Sequence, residues 1–287
     1  ITKAVLKVHP LPEAREYGSL AFPSLDHGVR FLKQLRHEGA VPASIRLVNN
    51  TEFRFGQALK PAPGFVHGLL DKVKKLFLFK VKRFDPYQMA GCTIVMEGTS
   101  REVAMQRDII FSLASDFGGM SGGSANGRRG YMLTFGIAYI RDFFNQFHIM
   151  GETFETSVPW SRIHDVIGAV EQQLAQLAQE HQLPSKPYLA YRVTQTYHTG
   201  VCIYFTMGFS GKGLDKPDHV YHLVESSLRQ TILDHGGSLS HHHGVGKIRK
   251  SFLPDIQTEA SLQLLRETKR ALDPKNVSGI RNGAIEA

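Results

Sequence analysis

Leu189-Ala190-Tyr191-Arg192-Val193 and Val201-Cys202-Ile203-Tyr204-Phe205-Thr206-Met207-Gly208-Phe209 decide the fold class. Both runs are rich in β-branched and aromatic residues, and they read as paired strands joined near His198-Thr199-Gly200. Outward from them, residues 4–10 read as a strand ended by Pro10, residues 41–48 as another closing at Asn49-Asn50, and residues 93–97 as a short third. Apolar residues at helical spacing mark residues 24–39 (Val29, Leu32, Leu35) and 159–182 (Ile163, Ile167, Val170, Leu174, Leu177), with Ser157 available to cap the latter. Further helices are expected over 100–117, 217–235 and 257–272. Strands and helices alternate without the regular βαβ rhythm of a doubly wound fold. The expected class is therefore α+β, a mixed or antiparallel sheet covered by helices. The Gly/Ser-rich stretch 118–130 reads as a mobile loop. The chain is expected to divide into a substrate domain, 1–235, and a C-terminal segment, 236–287.

The 287 residues are 42% hydrophobic and 21% charged, ordinary values for a globular protein with a sizeable core. No apolar run approaches the roughly 18–20 residues a bilayer span needs. There is no secretory signal, and the chain opens at Ile1 in a strand-like run, which suggests a piece of a longer protein. Cys92 and Cys202 read as buried reduced thiols, and two cysteines exclude a disulfide scaffold or a Cys-based metal site. A formal charge of +8 favours anionic partners such as phosphates or lipid headgroups.

Ser240-His241-His242-His243-Gly244-Val245-Gly246 is the strongest chemical signal. Imidazoles titrate near neutral pH and donate, accept or bind metal, and the glycines allow a sharp turn or close approach to a ligand. No metal is expected there, because successive residues rarely all point at one ion and no acidic or Cys partner has ligand spacing. The triplet therefore reads as part of a site.

Residues 64–84, within a basic amphipathic segment spanning 58–86, carry Lys72, Lys74, Lys75, Lys80, Lys82 and Arg83 against one acid, Asp71. Leu69, Val73, Leu76 and Phe77 share a helical face. Two readings fit: a helix lying at an anionic membrane surface, or one packed on its own core with a solvated basic face. Nucleic acid is not expected as a partner, since no base-stacking motif accompanies the lysines.

Several separated segments carry a family resemblance: Pro42-Ala43-Ser44-Ile45-Arg46-Leu47, Arg54-Phe55-Gly56, Arg129-Gly130-Tyr131, Ile140-Arg141-Asp142, Cys202-Ile203-Tyr204-Phe205 and the His triplet, in that order. Together they resemble the C-terminal half of the alkyldihydroxyacetonephosphate synthases, flavoenzymes of ether-lipid synthesis within the vanillyl-alcohol oxidase superfamily. The resemblance covers essentially the whole chain. It implies the cap domain of a two-domain FAD-linked flavoprotein whose FAD-binding half is absent from this sequence, so that the chain alone would be inactive. The implied activity exchanges the acyl chain of acyl-dihydroxyacetone phosphate for a fatty alcohol through a flavin N5 adduct.

The resemblance also assigns residues. Tyr204 and His242, with His241 and His243, would be catalytic. Arg141 and Arg46 would bind the substrate anion, and His241, His243, Arg46 and Asn276 would face the cofactor. Arg141 could equally pair with Asp142, and Tyr204 could equally be packed core. Also implied are a homodimer and a peroxisomal, membrane-associated setting, although Ile285-Glu286-Ala287 is not a peroxisomal tripeptide. Two other functions stay open: an FAD-dependent oxidase or dehydrogenase of a hydroxy acid or aryl alcohol, and a non-catalytic lipid- or membrane-binding module.

Overall fold

The computed structural model describes residues 3–60 and 77–279, with the side chains of Phe77, Ile137 and Ala138 left aside. In chain order the elements are β1 (Ala14–Phe22), α1 (Leu25–Glu38), β2 (Ser44–Val48), α2 (Asn50–Ala58), β3 (Ala90–Gly98), α3 (Ser100–Asp116), β4 (Met120–Ser121), α4 (Ser124–Asn145), β5 (Ile149–Pro159), α5 (Ile163–Glu180), β6 (Tyr188–Thr196), β7 (Gly200–Ser210), α6 (Pro217–Asp234), α7 (Leu253–Ile256) and α8 (Glu259–Leu272). Helices and antiparallel strands make an α+β fold, as expected.

The chain forms two compact units, residues 1–143 with 190–198, and residues 144–189 with 199–287. The expected boundary at 235/236 falls inside the second unit, because β6 returns to the first after α5 has been built in the second.

In the first unit the strands run β4-β1-β3-β2-β6. β1 pairs antiparallel with β3 from Ala14↔Gly98 to Phe22↔Ala90, and β2 joins β3 to β6. Cross-strand partners share a face, so the register separates two sets of side chains. Leu20, Cys92, Leu47 and Val193 form a buried apolar row. α1 reaches this face through Gly28, where an added Cβ would sit 2.4 Å from Leu47. Its ends are fixed by the Ser24 N-cap and by Gly39 at φ 76°. The opposite face carries Ser19, Thr93 and Arg46 and receives α4.

Two expectations for this unit fail. Residues 4–10 form no strand with any described residue, and Val5 is 90% exposed, so this run buries no apolar face that would hold it in a sheet. The stretch 118–130 is not a loop throughout: it holds β4 and the first turns of α4. Its glycines serve close packing, since a Cβ at Gly127 would lie 2.2 Å from the Gly18 carbonyl oxygen and one at Gly130 would lie 2.5 Å from Thr93.

Most of the basic segment 58–86 lies outside the described residues. Of its described end, Phe77–Val81 forms one helical turn and Phe84 is buried.

The second unit is built on one long ribbon. β5 and β7 pair antiparallel from Ile149↔Ser210 to Pro159↔Gly200. One face buries Phe154 against Phe205, with ring centroids 5.0 Å apart and planes 14° apart. Ser157 does not cap α5, because it is the β5 residue that bonds to Ser238.

Candidate active site

Alternation along β5 and β7 puts Thr153, Glu155 and Ser157 on the same face as Cys202, Tyr204 and Thr206, with Glu155 directly opposite Tyr204. The chain following α6 lies over this face. Ser238 exchanges backbone and hydroxyl hydrogen bonds with Ser157 at 2.8–2.9 Å and starts the crossing. The next residues are then held almost entirely through their main chain. The Ser240 hydroxyl donates to Glu155 Oε1 at 2.8 Å. The amides of His242 and His243 donate to the same oxygen at 3.2 and 2.9 Å, and the His241 amide donates to Oε2 at 2.5 Å.

Two arginines secure the flanks. Arg229, buried against the Phe154 ring and paired with Glu225, donates to the Leu239 carbonyl at 2.8 Å. Arg249 donates to the Gly244 carbonyl. Gly244 and Gly246 take the left-handed conformation, at φ 76° and 53°, as the sequence suggested.

The imidazoles are thereby placed around Tyr204. The His242 ring stacks on the phenol at 5.9 Å between centroids, and the His243 ring meets it edge-on at 5.3 Å. His241 Nδ1 and His242 Nδ1 are 3.0 Å apart. The Tyr204 hydroxyl lies 2.9 Å from Thr153 Oγ1. The phenol and two adjacent imidazoles are thus in ring contact, three titratable groups gathered on one face.

Burial pushes the Glu155 carboxyl up, but the His243 amide, the Ser240 hydroxyl and the His241 and His242 amides together hold it below its ordinary value. Burial lowers the His243 imidazole, only partly offset by Glu155, so it is neutral at pH 7.

Glu155, Cys202, His241 and His242 also bring potential ligand atoms within 4.8 Å of one another. No acid or Cys has ligand spacing to the triplet along the chain; Glu155 and Cys202 reach it instead from two paired strands. Both Glu155 oxygens already accept hydrogens, which leaves that carboxylate poorly disposed to a metal.

The remaining expected residues lie elsewhere. Asn276, in the second unit, sits at φ 49° in the turn after α8, and its Oδ1 is buried without a hydrogen-bond partner among the described residues. The Asp273 carboxylate organises that turn, accepting from Lys269 and from the Val277 and Ser278 amides, and these bonds lower its pKa to about 2.

Arg46 and Arg141 belong to the first unit. Arg46 donates to Thr134 on α4 and lies 5.9 Å from the Tyr131 ring. Arg141 is seven residues beyond Thr134, which places it on nearly the same face of α4, about 10 Å along the axis. Its Nε is 3.7 Å from Asp142, an exposed pair of little energetic weight. Sequence reasoning missed Glu155, Arg229, Arg249 and Thr153. The one available signal was a lone acid in the alternating run Thr153-Phe154-Glu155-Thr156.

An antiparallel α+β scaffold thus presents a phenol and an imidazole cluster together, from a ribbon and its covering loop, groups whose chemistry suits proton transfer. The chain belongs to the family described as FAD linked oxidases, C-terminal domain, which matches residues 11–278. It is similar to the alkyldihydroxyacetonephosphate synthase of Caenorhabditis elegans, 37% identical over 283 residues, covering 98% of this chain and 47% of that protein. The Dictyostelium discoideum protein of the same name is 29% identical, with 98% and 46% covered. A solved alkyldihydroxyacetonephosphate synthase superposes with a TM-score of 0.73 at 23% identity, covering 93% of this chain and 44% of that one, which shows the shared fold. The chain spans about half the length of the curated relatives it matches.

FAD is the cofactor to which this family is linked. The described residues fit such a group: Asn276 Oδ1 and Arg249 Nε are buried without a hydrogen-bond partner, and the exposed His242 ring offers polar edges beside a phenol.

Proposed function

We propose that this chain is the substrate-side part of an FAD-dependent alkyldihydroxyacetonephosphate synthase, exchanging the acyl chain of acyl-dihydroxyacetone phosphate for a fatty alcohol in ether-lipid synthesis. The observation that carries the reading is the Tyr204 phenol stacked on His242, in a chain whose relatives bear that name. The exchange is balanced: ester plus alcohol gives ether plus fatty acid, with no net redox change. FAD, when bound, supplies the covalent chemistry at the carbon beside the ketone.

The chain's own residues have the remaining tasks. Tyr204, hydrogen-bonded to Thr153, moves the proton at that carbon. His242 polarises the ketone or orients the phenol. Arg141 receives the phosphate, for which a planar guanidinium fork is well matched, and Arg46 serves the substrate anion or the flavin side. His241, His243 and Asn276 are assigned to polar contacts with the cofactor. A homodimer and a peroxisomal, membrane-associated setting belong to the same proposal.

The test is incorporation of labelled hexadecanol into the alkyl ether by the FAD-loaded protein. Tyr204→Phe and His242→Ala are each expected to lower kcat by about 10²–10⁴-fold, the range for a lost general acid or base. Unchanged exchange in both variants would remove the site assignment. The family description favours one second reading, an oxidase or dehydrogenase of a hydroxy acid or aryl alcohol. Flavin bleaching by such a substrate without alcohol incorporation selects it.

A further inference from the structure

We infer that Glu155 is a positioning residue that fixes the His242 and His243 rings against Tyr204 by holding the Ser240 hydroxyl and the amides of residues 241–243. The carboxylate is completely buried, yet it contacts the triplet chiefly through backbone amides. Four hydrogens converge on its two oxygens, from Ser240 Oγ and the amides of His241, His242 and His243. Residues 238–243 belong to no helix or strand, so these amides have no ladder of their own and need an acceptor.

The arrangement requires an anion. Successive amides curled round one point create a concentrated positive potential, and charge-assisted bonds are roughly twice as strong as neutral ones. A glutamine would present an NH₂ group to donors. The flanking contacts have the opposite polarity, with Arg229 on the Leu239 carbonyl and Arg249 on the Gly244 carbonyl. The loop is thus gripped at carbonyl 239, amides 241–243 and carbonyl 244. Because Glu155 and Tyr204 are direct cross-strand partners, one strand pair sets both the phenol and the backbone that carries the rings. With both oxygens engaged, Glu155 orders the ring cluster and does not itself transfer the proton.

In its bearing on turnover the inference rests on the exchange reaction proposed above. The experiment uses the full-length FAD-loaded protein as wild type, Glu155→Gln and Ser240→Ala, read by amide hydrogen exchange at residues 241–243 and by initial rates. In Glu155→Gln, protection at 241–243 is expected to fall at least about tenfold. Its kcat should fall by about 10²-fold, the cost of a misplacement near 1 Å, with KM for the acyl substrate within about threefold. Ser240→Ala removes one donor and keeps the charge. It is expected to lower protection by about threefold and kcat with KM unchanged, and it decides the matter if Glu155→Gln does not fold.

Unchanged protection in the folded variants overturns the clamp. A kcat loss matched by a KM rise and loss of flavin overturns the positioning role in favour of a purely structural one. A wild-type protein that exchanges no acyl chains overturns the proposed reaction instead, and protection at 241–243 then decides the clamp alone.

Discussion

Glu155 keeps its charge at pH values where an isolated glutamate takes up a proton. Burial alone would raise its pKa, but the donors from 240–243 outweigh burial and bring it below 4.5. A carboxyl lowered in the folded state contributes stability that is fully present above its unfolded pKa and lost as pH falls through the folded one. His243, lowered by burial, likewise favours the folded state above about pH 6.5 and works against it below. Intrinsic-rate-corrected amide exchange at 241–243 should therefore show protection that weakens as His243 protonates and collapses only below pH 4.5. Collapse near pH 6 would mean that the carboxylate does not hold the loop. At this scale the residues that stood out in the sequence, the His triplet and Tyr204, are brought together in the structure. Glu155 was not legible, because a carboxylate that binds backbone amides 85 or more positions away imposes no residue type on its partners.

The glycines of 118–130 illustrate the same limit for an element. Gly and Ser density argues for a loop by propensity, whereas close approach of α4 to β1 and β3 requires that very composition. Helix α1, by contrast, was legible at both ends because Ser24 and Gly39 act locally. The two kinds of glycine within α4 make opposite predictions. Gly127→Ala would place a methyl 2.2 Å from a backbone oxygen that cannot step aside. Overpacking should cost about 1–3 kcal/mol, more than the ~1 kcal/mol gained in helix propensity. Among the described residues nothing lies within 4 Å of a Cβ added at Gly136, so Gly136→Ala should stabilise by about 0.5–1 kcal/mol. Urea denaturation of both variants checks the pair, and equal shifts would mean that α4 does not pack where its glycines place it.

For the whole molecule, the α+β class was readable from strand runs without a βαβ rhythm, but the division into units was not. A boundary read from sequence assumes contiguous domains, and here residues 190–198 rejoin the first unit. Charge is the molecule-wide property on which the proposed membrane contact depends. The net +8 is concentrated in part in residues 64–84, where six cations face one acid among apolar residues. Six cations within 21 residues would be costly inside a bilayer, so contact with a membrane through this stretch would be interfacial. Each lysine near an anionic surface contributes about 1 kcal/mol. Lys72→Gln, Lys74→Gln and Lys75→Gln together should thus weaken binding to phosphatidylserine vesicles by about 3 kcal/mol, on the order of 10²-fold. Wild-type binding should also fall steeply with added salt, since screening shortens the reach of these charges to about 3 Å at 1 M. Vesicle flotation at two ionic strengths checks both effects. Binding untouched by the triple substitution would favour the other reading of these lysines, a solvated basic face on a helix packed against its own core.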